Sequence, residues 1–244
     1  MSLFSSLGQR SLELKNRIVV SPMCQYSAID GVPTDWHLVH LGSRAIGGAA
    51  LVIAEATAVC ADGRISPADS GLWNDAQQQA WARIAAFIAA HGAIPAVQLA
   101  HAGRKASTDA PWRGGGAVTV DAGGWTPVVA PSAIAFSDTY LMPEALDLAG
   151  IDAIVAAFAS SARRALAAGF ELLELHAAHG YLLHEFLSPL SNRREDDYGG
   201  SFDNRIRLTR RVVAAVRAVW PEHLPLWLRI SATDWAADGE PGWD

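Results

Sequence analysis

The sequence has few cysteines and no long apolar segment. Only Cys24 and Cys60 occur among its 244 residues, which excludes a disulfide-stapled scaffold and fits a reducing compartment. No run of 18 or more apolar residues is present, so no membrane-spanning helix is expected. The first residues, MSLFSSLGQRSLELKNR, lack the apolar stretch of a secretory signal. Together these absences predict a cytoplasmic protein without a membrane partner.

The sequence also lacks a basic excess and the common nucleotide-binding motifs. It contains 19 Lys and Arg residues against 25 Asp and Glu residues, and this acidic balance argues against a nucleic-acid partner. No G-x-G-x-x-G segment follows the first apolar run, and no G-x-x-x-x-G-K-[ST] segment occurs. Neither a Rossmann dinucleotide site nor a P-loop is therefore expected.

Five short apolar runs recur along the chain, and each has the length of a strand. They are rich in Val, Ile and Leu, as strands buried on both faces of a parallel sheet are. Segments with apolar residues at helical spacing separate them. This alternation predicts a parallel α/β fold, either doubly wound or closed as a barrel. The runs span residues 17–21, 50–56, 94–100, 172–177 and 226–231.

Two segments fall outside this alternation. Residues 1–15 contain two short strand-like runs, 3–7 and 11–14, which predict a hairpin that closes the bottom of a barrel. Residues 103–143 are irregular and rich in glycine and proline, which predicts a surface insert or lid. No internal boundary divides the sequence, so residues 1–244 are expected to form a single domain.

Polar residues gather at the carboxyl ends of the predicted strands. Gln98 lies near the end of the third run, His176 at the end of the fourth and Arg229 at the end of the fifth. Parallel strands bring their carboxyl ends to one edge of the sheet, where the active sites of α/β barrels lie. Taken singly, Gln98 and Arg229 also fit structural roles, as a buried amide and an ion-paired core arginine. Taken together, these positions predict a site at this edge.

The segment His176-Ala-Ala-His179-Gly-Tyr181 contains three polar rings within six residues. Two imidazole N–H groups can bind a substrate oxygen where negative charge develops, and a phenol, with a pKa of about 10, can donate a proton. A His-x-x-His pair can also bind a metal ion, and Glu55 and Glu174 are the best candidates for further ligands. A metal-dependent barrel hydrolase using His176 and His179 therefore stays open as an alternative.

Four segments of the sequence together resemble the old yellow enzyme family, and in particular its bacterial thermophilic-like branch, which includes the xenobiotic reductases. The first segment is LKNRIVVSPMCQYSAIDGVPTDWHLVHLGSRAIGGAALVIAEATAV, and the next two are IPAVQLAHAGRKAS and APSAIAF. The last and most specific contains HAAHGYLLHEFLSPLSNRREDDYGGSFDNR. The resemblance covers nearly the whole sequence.

The resemblance implies a (β/α)8 TIM barrel that binds flavin mononucleotide (FMN) across the carboxyl ends of its strands. About five of the eight β/α units are expected within residues 1–244, as the N-terminal portion of a C-terminally truncated domain. The resemblance implies flavin contacts from Ser21, Pro22, Met23, Cys24, Ala56, Gln98 and Arg229, a substrate-oxygen site at His176 and His179, a proton donor at Tyr181 and a second pocket phenol at Tyr26. It further implies that Cys24 tunes the redox potential of the flavin and that Arg229 favours its anionic reduced form.

The activity that the resemblance implies is that of an FMN-dependent NAD(P)H oxidoreductase acting as an ene-reductase. NADPH or NADH gives a hydride to the flavin, which passes it to an α,β-unsaturated carbonyl compound or a related electrophilic alkene. No metal is implied, and a homo-oligomer stays open. Because three β/α units are expected to be missing, an alternative is an inert fragment, or one that acts only with a partner such as an intact homologue.

Overall fold

The structure, a computed structural model, describes residues 2–237 and 241–243 of the chain. Residues 1, 238–240 and 244, which the predicted domain 1–244 includes, lie outside the described residues. The strands are β1 (Leu7–Gln9), β2 (Leu12–Leu14), β3 (Val19–Val20), β4 (Leu51–Ala58), β5 (Ile94–Ala100), β6 (Val129–Ala130), β7 (Glu144–Ala145), β8 (Leu172–Ala177) and β9 (Leu226–Ile230). The helices are α1 (Asp35–Ile46), α2 (Asp75–Ala90), α3 (Leu148–Ala167), α4 (Leu182–Leu187), α5 (Phe202–Arg205) and α6 (Arg207–Arg217).

The main sheet consists of five parallel strands in the order β3-β4-β5-β8-β9. Neighbouring strands follow one another along the chain, and helices α1, α2, α3 and α6 lie in the crossovers between them. Every residue of β4 and β8 is buried, as expected of strands covered on both faces. The arrangement is that of consecutive β/α units, with all carboxyl ends at one edge.

A hydrophobic core between the sheet and its helices fixes the positions of the strands. Trp81 of α2, Phe158 of α3 and Phe170 before β8 are fully buried in it. The ring centroids of Trp81 and Phe170 lie 5.8 Å apart, and Trp81 Nε1 donates to the carbonyl oxygen of Gly71 at 3.2 Å. Burial of each such side chain contributes about 1.5–3 kcal/mol. The indole N–H has its partner, so this gain carries no penalty from an unpaired donor.

The predicted hairpin within residues 1–15 is present, but its predicted first strand was wrong. β1 begins at Leu7 rather than at residue 3, and it pairs antiparallel with β2 so that Leu7 lies opposite Leu14. The chain turns before this point: the Ser2 carbonyl oxygen accepts hydrogen bonds from the Ser5 backbone N–H at 3.1 Å and from the Ser5 hydroxyl at 2.8 Å. This turn leaves the first described residues outside the ladder.

The segment 103–143 contains three single-turn 3₁₀ helices and strand β6, which pairs with β7. Much of it is exposed, but its first part is anchored. The Thr108 backbone N–H donates to the Ile65 carbonyl oxygen at 2.8 Å, and the Ser107 hydroxyl accepts from the Trp125 backbone N–H at 2.8 Å. The segment is therefore folded against the loop that follows β4.

The two outer strands of the main sheet, β3 and β9, have no second neighbour among the described residues. On β9, Leu228 is 43% exposed and Ile230 is 51% exposed.

In the described part of the chain, no helix combines the length and the hydropathy needed to cross a bilayer.

Candidate functional site

Side chains from separate strands share one face of the sheet near its carboxyl edge. The parallel register aligns Ala56 with Gln98 and Gln98 with Glu174, so these side chains point to the same face. Gln98 Nε2 donates to Glu174 Oε1 at 2.6 Å. Two residues further along β8, His176 aligns with Arg229. The structure therefore brings together five residues that the sequence singled out, on four different strands.

The loop after β3 lies at the same edge. Ser21 and Pro22 line a cleft of about 740 Å³ together with Glu174 and Arg229. This volume lies in the range of small-molecule sites, about 300–1,000 Å³. Met23 is 47% exposed beside it. Of the residues predicted to contact a flavin, Ser21 and Pro22 after β3 and Arg229 on β9 are the ones that line the cleft directly.

Glu55 fixes the position of the loop that continues from Pro22 by a hydrogen bond to its backbone. Its Oε2 accepts a hydrogen bond from the Gln25 backbone N–H at 3.0 Å, and its Oε1 lies 3.5 Å from His37 Nε2. Burial, with the nearby carboxylates of Asp69 and Glu55, raises the pKa of Cys24 well above its usual value. Cys24 is therefore a thiol rather than a thiolate, and Glu55 is engaged in positioning the loop.

The three rings predicted from the sequence lie against one another. The centroid of His176 lies 5.0 Å from that of His179 and 5.0 Å from that of Tyr181. His179 has a left-handed backbone, with φ of 59°, and is held on both sides. Its N–H donates to Ser231 Oγ at 2.9 Å, and its carbonyl oxygen accepts from Lys105 Nζ at 2.8 Å. These bonds turn the loop back so that the three rings meet.

Both histidines of this ring cluster (His176, His179 and Tyr181) are neutral at physiological pH. Burial lowers the pKa of His176 to about 3, with added repulsion from His179 and Arg229. Burial also lowers the pKa of His179, and repulsion from Arg229 and Lys105 lowers it further. The Ala178 backbone N–H donates to His176 Nδ1 at 3.2 Å, so the ring proton of His176 is on Nε2. His176 thus offers a neutral N–H donor next to two fixed cations.

The phenols of the site stay protonated. Burial raises the pKa of Tyr181 above its usual value, and Cys24 and Tyr26 add to the effect. Burial likewise raises the pKa of Tyr26, whose ring contacts Trp112 edge to face at a centroid distance of 5.2 Å. Both side chains line a second cleft, of about 320 Å³. Each phenol therefore carries its proton before reaction and can donate it.

Sequence reasoning missed several residues of this second cleft. Lys105 and Tyr140 also line it, and Lys105 Nζ lies 5.3 Å from the ring centroid of Tyr181. Lys105 stands five residues after β5, so its place beyond a strand end could have marked it. Tyr140 belongs to the insert, and no local pattern indicates that the insert reaches the ring cluster.

The histidine pair has no further metal ligands among the described residues. Within 2–237 and 241–243, three suitable ligand atoms gather only at Cys60, Asp62 and His101. There the Gly103 backbone N–H donates to His101 Nδ1 at 3.0 Å, so the lone pair of Nδ1 is already engaged. The ring proton is then on Nε2, and a protonated ring nitrogen does not coordinate a metal ion. Of the suggested further ligands, Glu174 is bonded to Gln98 and Glu55 to the Gln25 backbone N–H. The geometry therefore gives the hydrolase alternative no support.

The fold and this site define a β/α-barrel protein with a small-molecule site at the carboxyl edge of its sheet. A sequence model of the NADH:flavin oxidoreductase / NADH oxidase family matches residues 2–244. The chain is 47% identical over 236 residues to an NADH:flavin oxidoreductase of Gibberella zeae, and 46% identical over 239 residues to an NADPH dehydrogenase of Geobacillus sp.. The chain therefore belongs to the NADH:flavin oxidoreductase / NADH oxidase family.

Solved structures of old yellow enzymes agree with this family membership. The chain is similar to morphinone reductase, with a TM-score of 0.80 and 34% identity, and to the old yellow enzyme homologue from Zymomonas mobilis, with a TM-score of 0.82 and 32% identity. These likenesses confirm the resemblance to old yellow enzymes and the predicted (β/α)8-barrel class, of which the described strands supply about five units.

The chain spans only part of the length of these proteins. The alignments cover 96% of the chain but 57% of the Gibberella protein, and 97% of the chain but 65% of the Geobacillus protein. For the two solved structures, 93% and 94% of the chain correspond to 61% and 63% of theirs. More than a third of each of these proteins therefore has no counterpart in the chain.

Proposed function

We propose that the protein containing this chain is an FMN-dependent NAD(P)H oxidoreductase that reduces the activated C=C bond of α,β-unsaturated carbonyl compounds. Family membership supports the flavin and the nicotinamide donor. The observation that supports this class of substrate is the ring cluster, in which neutral His176 lies with its centroid 5.0 Å from His179 and from Tyr181. Such a cluster suits a carbonyl oxygen that gains negative charge during reaction.

Different residues of the chain bind the carbonyl oxygen of the substrate and protonate its α-carbon. His176 Nε2–H and the ring of His179 bind the carbonyl oxygen and stabilise the charge that develops on it. Because both rings are neutral, they bind this oxygen without fully protonating it. Tyr181, whose raised pKa keeps it protonated, donates its proton to the α-carbon. Arg229 and Lys105 add positive potential around the same point.

The 740 Å³ cleft fits the ring system of FMN better than its phosphate. Ser21, Pro22 and Arg229 line this cleft, and Arg229 offers a cation for the polar edge of the ring. Gln98, which is aligned with Glu174 of the cleft wall, would bring an amide to the same sheet face, and Ala56, aligned with Gln98, adds only a small side chain there. Among the described residues that line the cleft, Arg229 is the one cation, so a phosphate finds no second positive side chain there. When bound, FMN would take a hydride from NADPH or NADH and deliver it to the β-carbon of the alkene.

An anaerobic assay tests the proposal. The 244-residue chain is incubated with FMN and freed of excess flavin, then mixed with NADPH and next with 2-cyclohexen-1-one. We expect the flavin absorbance to bleach with NADPH and to return with the enone, with one cyclohexanone formed per flavin. A parallel run with NADH compares the two donors. Reduced flavin that oxygen reoxidises but the enone does not would contradict the assigned substrate class.

A second candidate is an inert or partner-dependent fragment. The coverage of 57% and 65% of the two curated relatives favours it. The same assay separates it from an active reductase, because a fragment of this kind retains no flavin after removal of the excess. Adding an intact homologue then distinguishes a partner-dependent fragment, which restores turnover beyond that of the homologue, from an inert one.

A further inference from the structure

We propose that Asp69, acting through one buried water, resupplies the proton that Tyr181 gives to the substrate. The inference rests on the proposed function and adds a proton path to it. Its starting point is that Tyr181 lines two cavities. One is the 320 Å³ cleft that it shares with Tyr26 and Lys105. The other is a small cavity in which, of the lining residues, only Tyr181 and Asp69 have polar side chains.

The small cavity has the size of a single water site. The space open to the centre of a water molecule is about 10 Å³, which is close to the minimum that one bound water needs. Its other walls are small or aliphatic side chains such as Ala58, Ala100 and Ile65. Because Asp69 and Tyr181 are the lining residues with polar side chains, the proposed water in this space joins the Asp69 carboxyl group to the Tyr181 hydroxyl.

The Asp69 carboxyl group is fixed in place by two hydrogen bonds. Its Oδ2 accepts from the Ile65 backbone N–H at 2.9 Å, and its Oδ1 accepts from the Ser66 hydroxyl at 2.7 Å. Each oxygen keeps a lone pair for a further partner. Ser66 also lines an outer cleft of about 310 Å³. Ser66, in the wall of that cleft, is therefore hydrogen-bonded to the Asp69 carboxyl group, and Asp69 itself lines the small cavity next to Tyr181.

The protonation state of Asp69 suits this path. Burial raises its pKa to about 7, against the hydrogen bonds from Ser66 and Ile65, and the charge of Glu55 adds to the rise. The other groups that act electrostatically with this carboxyl are Arg64, Cys24, Tyr26 and Tyr181. Protonated Asp69 gives its proton to the water, and the water gives one to the Tyr181 phenolate. The products are a neutral phenol and a carboxylate, which regains a proton from solvent.

Two measurements on the flavin-free 244-residue chain test the path without any turnover. Infrared spectra recorded from pH 5 to pH 9 should show a protonated-carboxyl band that titrates near neutrality and is absent in Asp69→Asn. Glu185→Gln and Glu174→Gln samples identify the bands of the other two buried carboxyl groups whose pKa burial raises. A crystal structure should show a water within hydrogen-bonding distance of both Asp69 and Tyr181. A missing Asp69 band, or an empty cavity, would overturn the proposal.

Kinetics of the FMN-loaded chain then test the role in catalysis. Asp69→Asn should slow enone reduction by about 10-fold or more, remove the pH dependence near neutrality and leave flavin reduction by NADPH unchanged. Asp152→Asn, at an exposed ion pair with Arg211, is the matched control and should change nothing. An Asp69→Asn enzyme with wild-type turnover and pH profile would refute the relay. A wild-type chain that fails to reduce the enone would instead count against the proposed function, and the spectra and crystal structure would still decide the path.

Discussion

Backbone N–H groups set the tautomers of the histidines around the ring cluster. The Ala178 N–H donates to His176 Nδ1 at 3.2 Å, and the Gly180 N–H donates to His184 Nδ1 at 2.8 Å. A ring nitrogen that accepts leaves the proton on the other nitrogen. His184 Nε2 lies 3.0 Å from Asp234 Oδ1 and ties the loop after β9 to α4. His176 therefore keeps its Nε2–H for a ligand.

His179→Ala should weaken enone reduction while leaving the reaction with NADPH largely intact. The substitution removes one of the two donors proposed to bind the substrate oxygen, and loss of such a donor lowers the rate by about 100-fold. The two half-reactions are measured separately by stopped-flow absorbance of the FMN-loaded chain. His40→Ala, on the partly exposed side of α1, is the control. Enone turnover equal to that of the wild type would show that His179 does not bind the substrate oxygen.

Glu185 makes the stability of the fold depend on pH. Burial raises its pKa to about 8, against the opposing effects of the Arg104 charge and backbone N–H and of Lys105. Its Oε1 accepts from the Arg104 backbone N–H at 2.9 Å, while its Oε2 has no partner among the described residues. In the unfolded chain a glutamate has a pKa of about 4.3. Between these values the folded state binds more protons than the unfolded state, so the free energy of unfolding falls as pH rises.

Glu185→Gln should therefore stabilise the fold at alkaline pH and change little at pH 5. The glutamine keeps an acceptor oxygen for Arg104 but cannot ionise, so the gain should reach on the order of 2 kcal/mol above pH 8. Urea unfolding at pH 5 and pH 9 measures it, with the exposed Glu13→Gln as control. A difference between variant and wild type that is the same at both pH values would contradict the assignment.

At the scale of elements, the sequence predicts the central strands well because they are uniformly apolar. The runs 94–100 and 172–177 coincide with β5 and β8 to the residue. The run 50–56 ends before β4 does, because pairing with β5 resumes after an irregularity between Ala54 and Ala56 and continues to Ala58. Apolar pattern reports burial but not backbone pairing, so it misses both this extension and the turn that displaces β1.

In the site, too, residues on strands can be predicted from the sequence and contacts made by loops cannot. Positions at strand ends, such as Gln98, His176 and Arg229, can be predicted because parallel strands must bring them to one edge. Contacts made by loops cannot be predicted, because they join segments far apart in sequence. Lys105 reaches the His179 carbonyl oxygen 74 positions away, and Asp69 reaches the cavity behind Tyr181 from the loop after β4.

Gly103→Ala should destabilise the turn that joins β5 to the ring cluster. Gly103 has φ of 61°, and an added Cβ atom would lie 2.2 Å from Glu185 Oε1, which is buried and cannot move freely. Backbone strain and the clash together should lower the free energy of unfolding by about 2–4 kcal/mol. Thermal and urea unfolding measure the loss. Gly8→Ala, where no atom lies within 4 Å of the new Cβ, is the control, and equal losses in both variants would refute the argument.

At the scale of the whole molecule, the described residues form an open sheet rather than a closed ring. β9 pairs with β8 on one side, and the described structure places no strand on its other side. A free edge exposes backbone donors and acceptors that can pair with another chain. Leu228, 43% exposed, adds apolar surface at this edge, and its alignment with Leu175 places it on the face opposite Arg229.

Leu228→Lys should therefore reduce self-association of the 244-residue chain, and because Leu228 also lines the 740 Å³ cleft, flavin binding is followed in the same samples. A lysine on an edge strand keeps the strand foldable but makes pairing with a second edge costly, because it brings charge into the contact. Sedimentation velocity over a range of concentrations measures the effect, and FMN retention reports whether the opposite face is intact. Val39→Lys, at a 64% exposed position on α1, adds the same charge away from any strand edge. If both variants lowered association equally, net charge would be the cause and the β9 edge would have no special part in it.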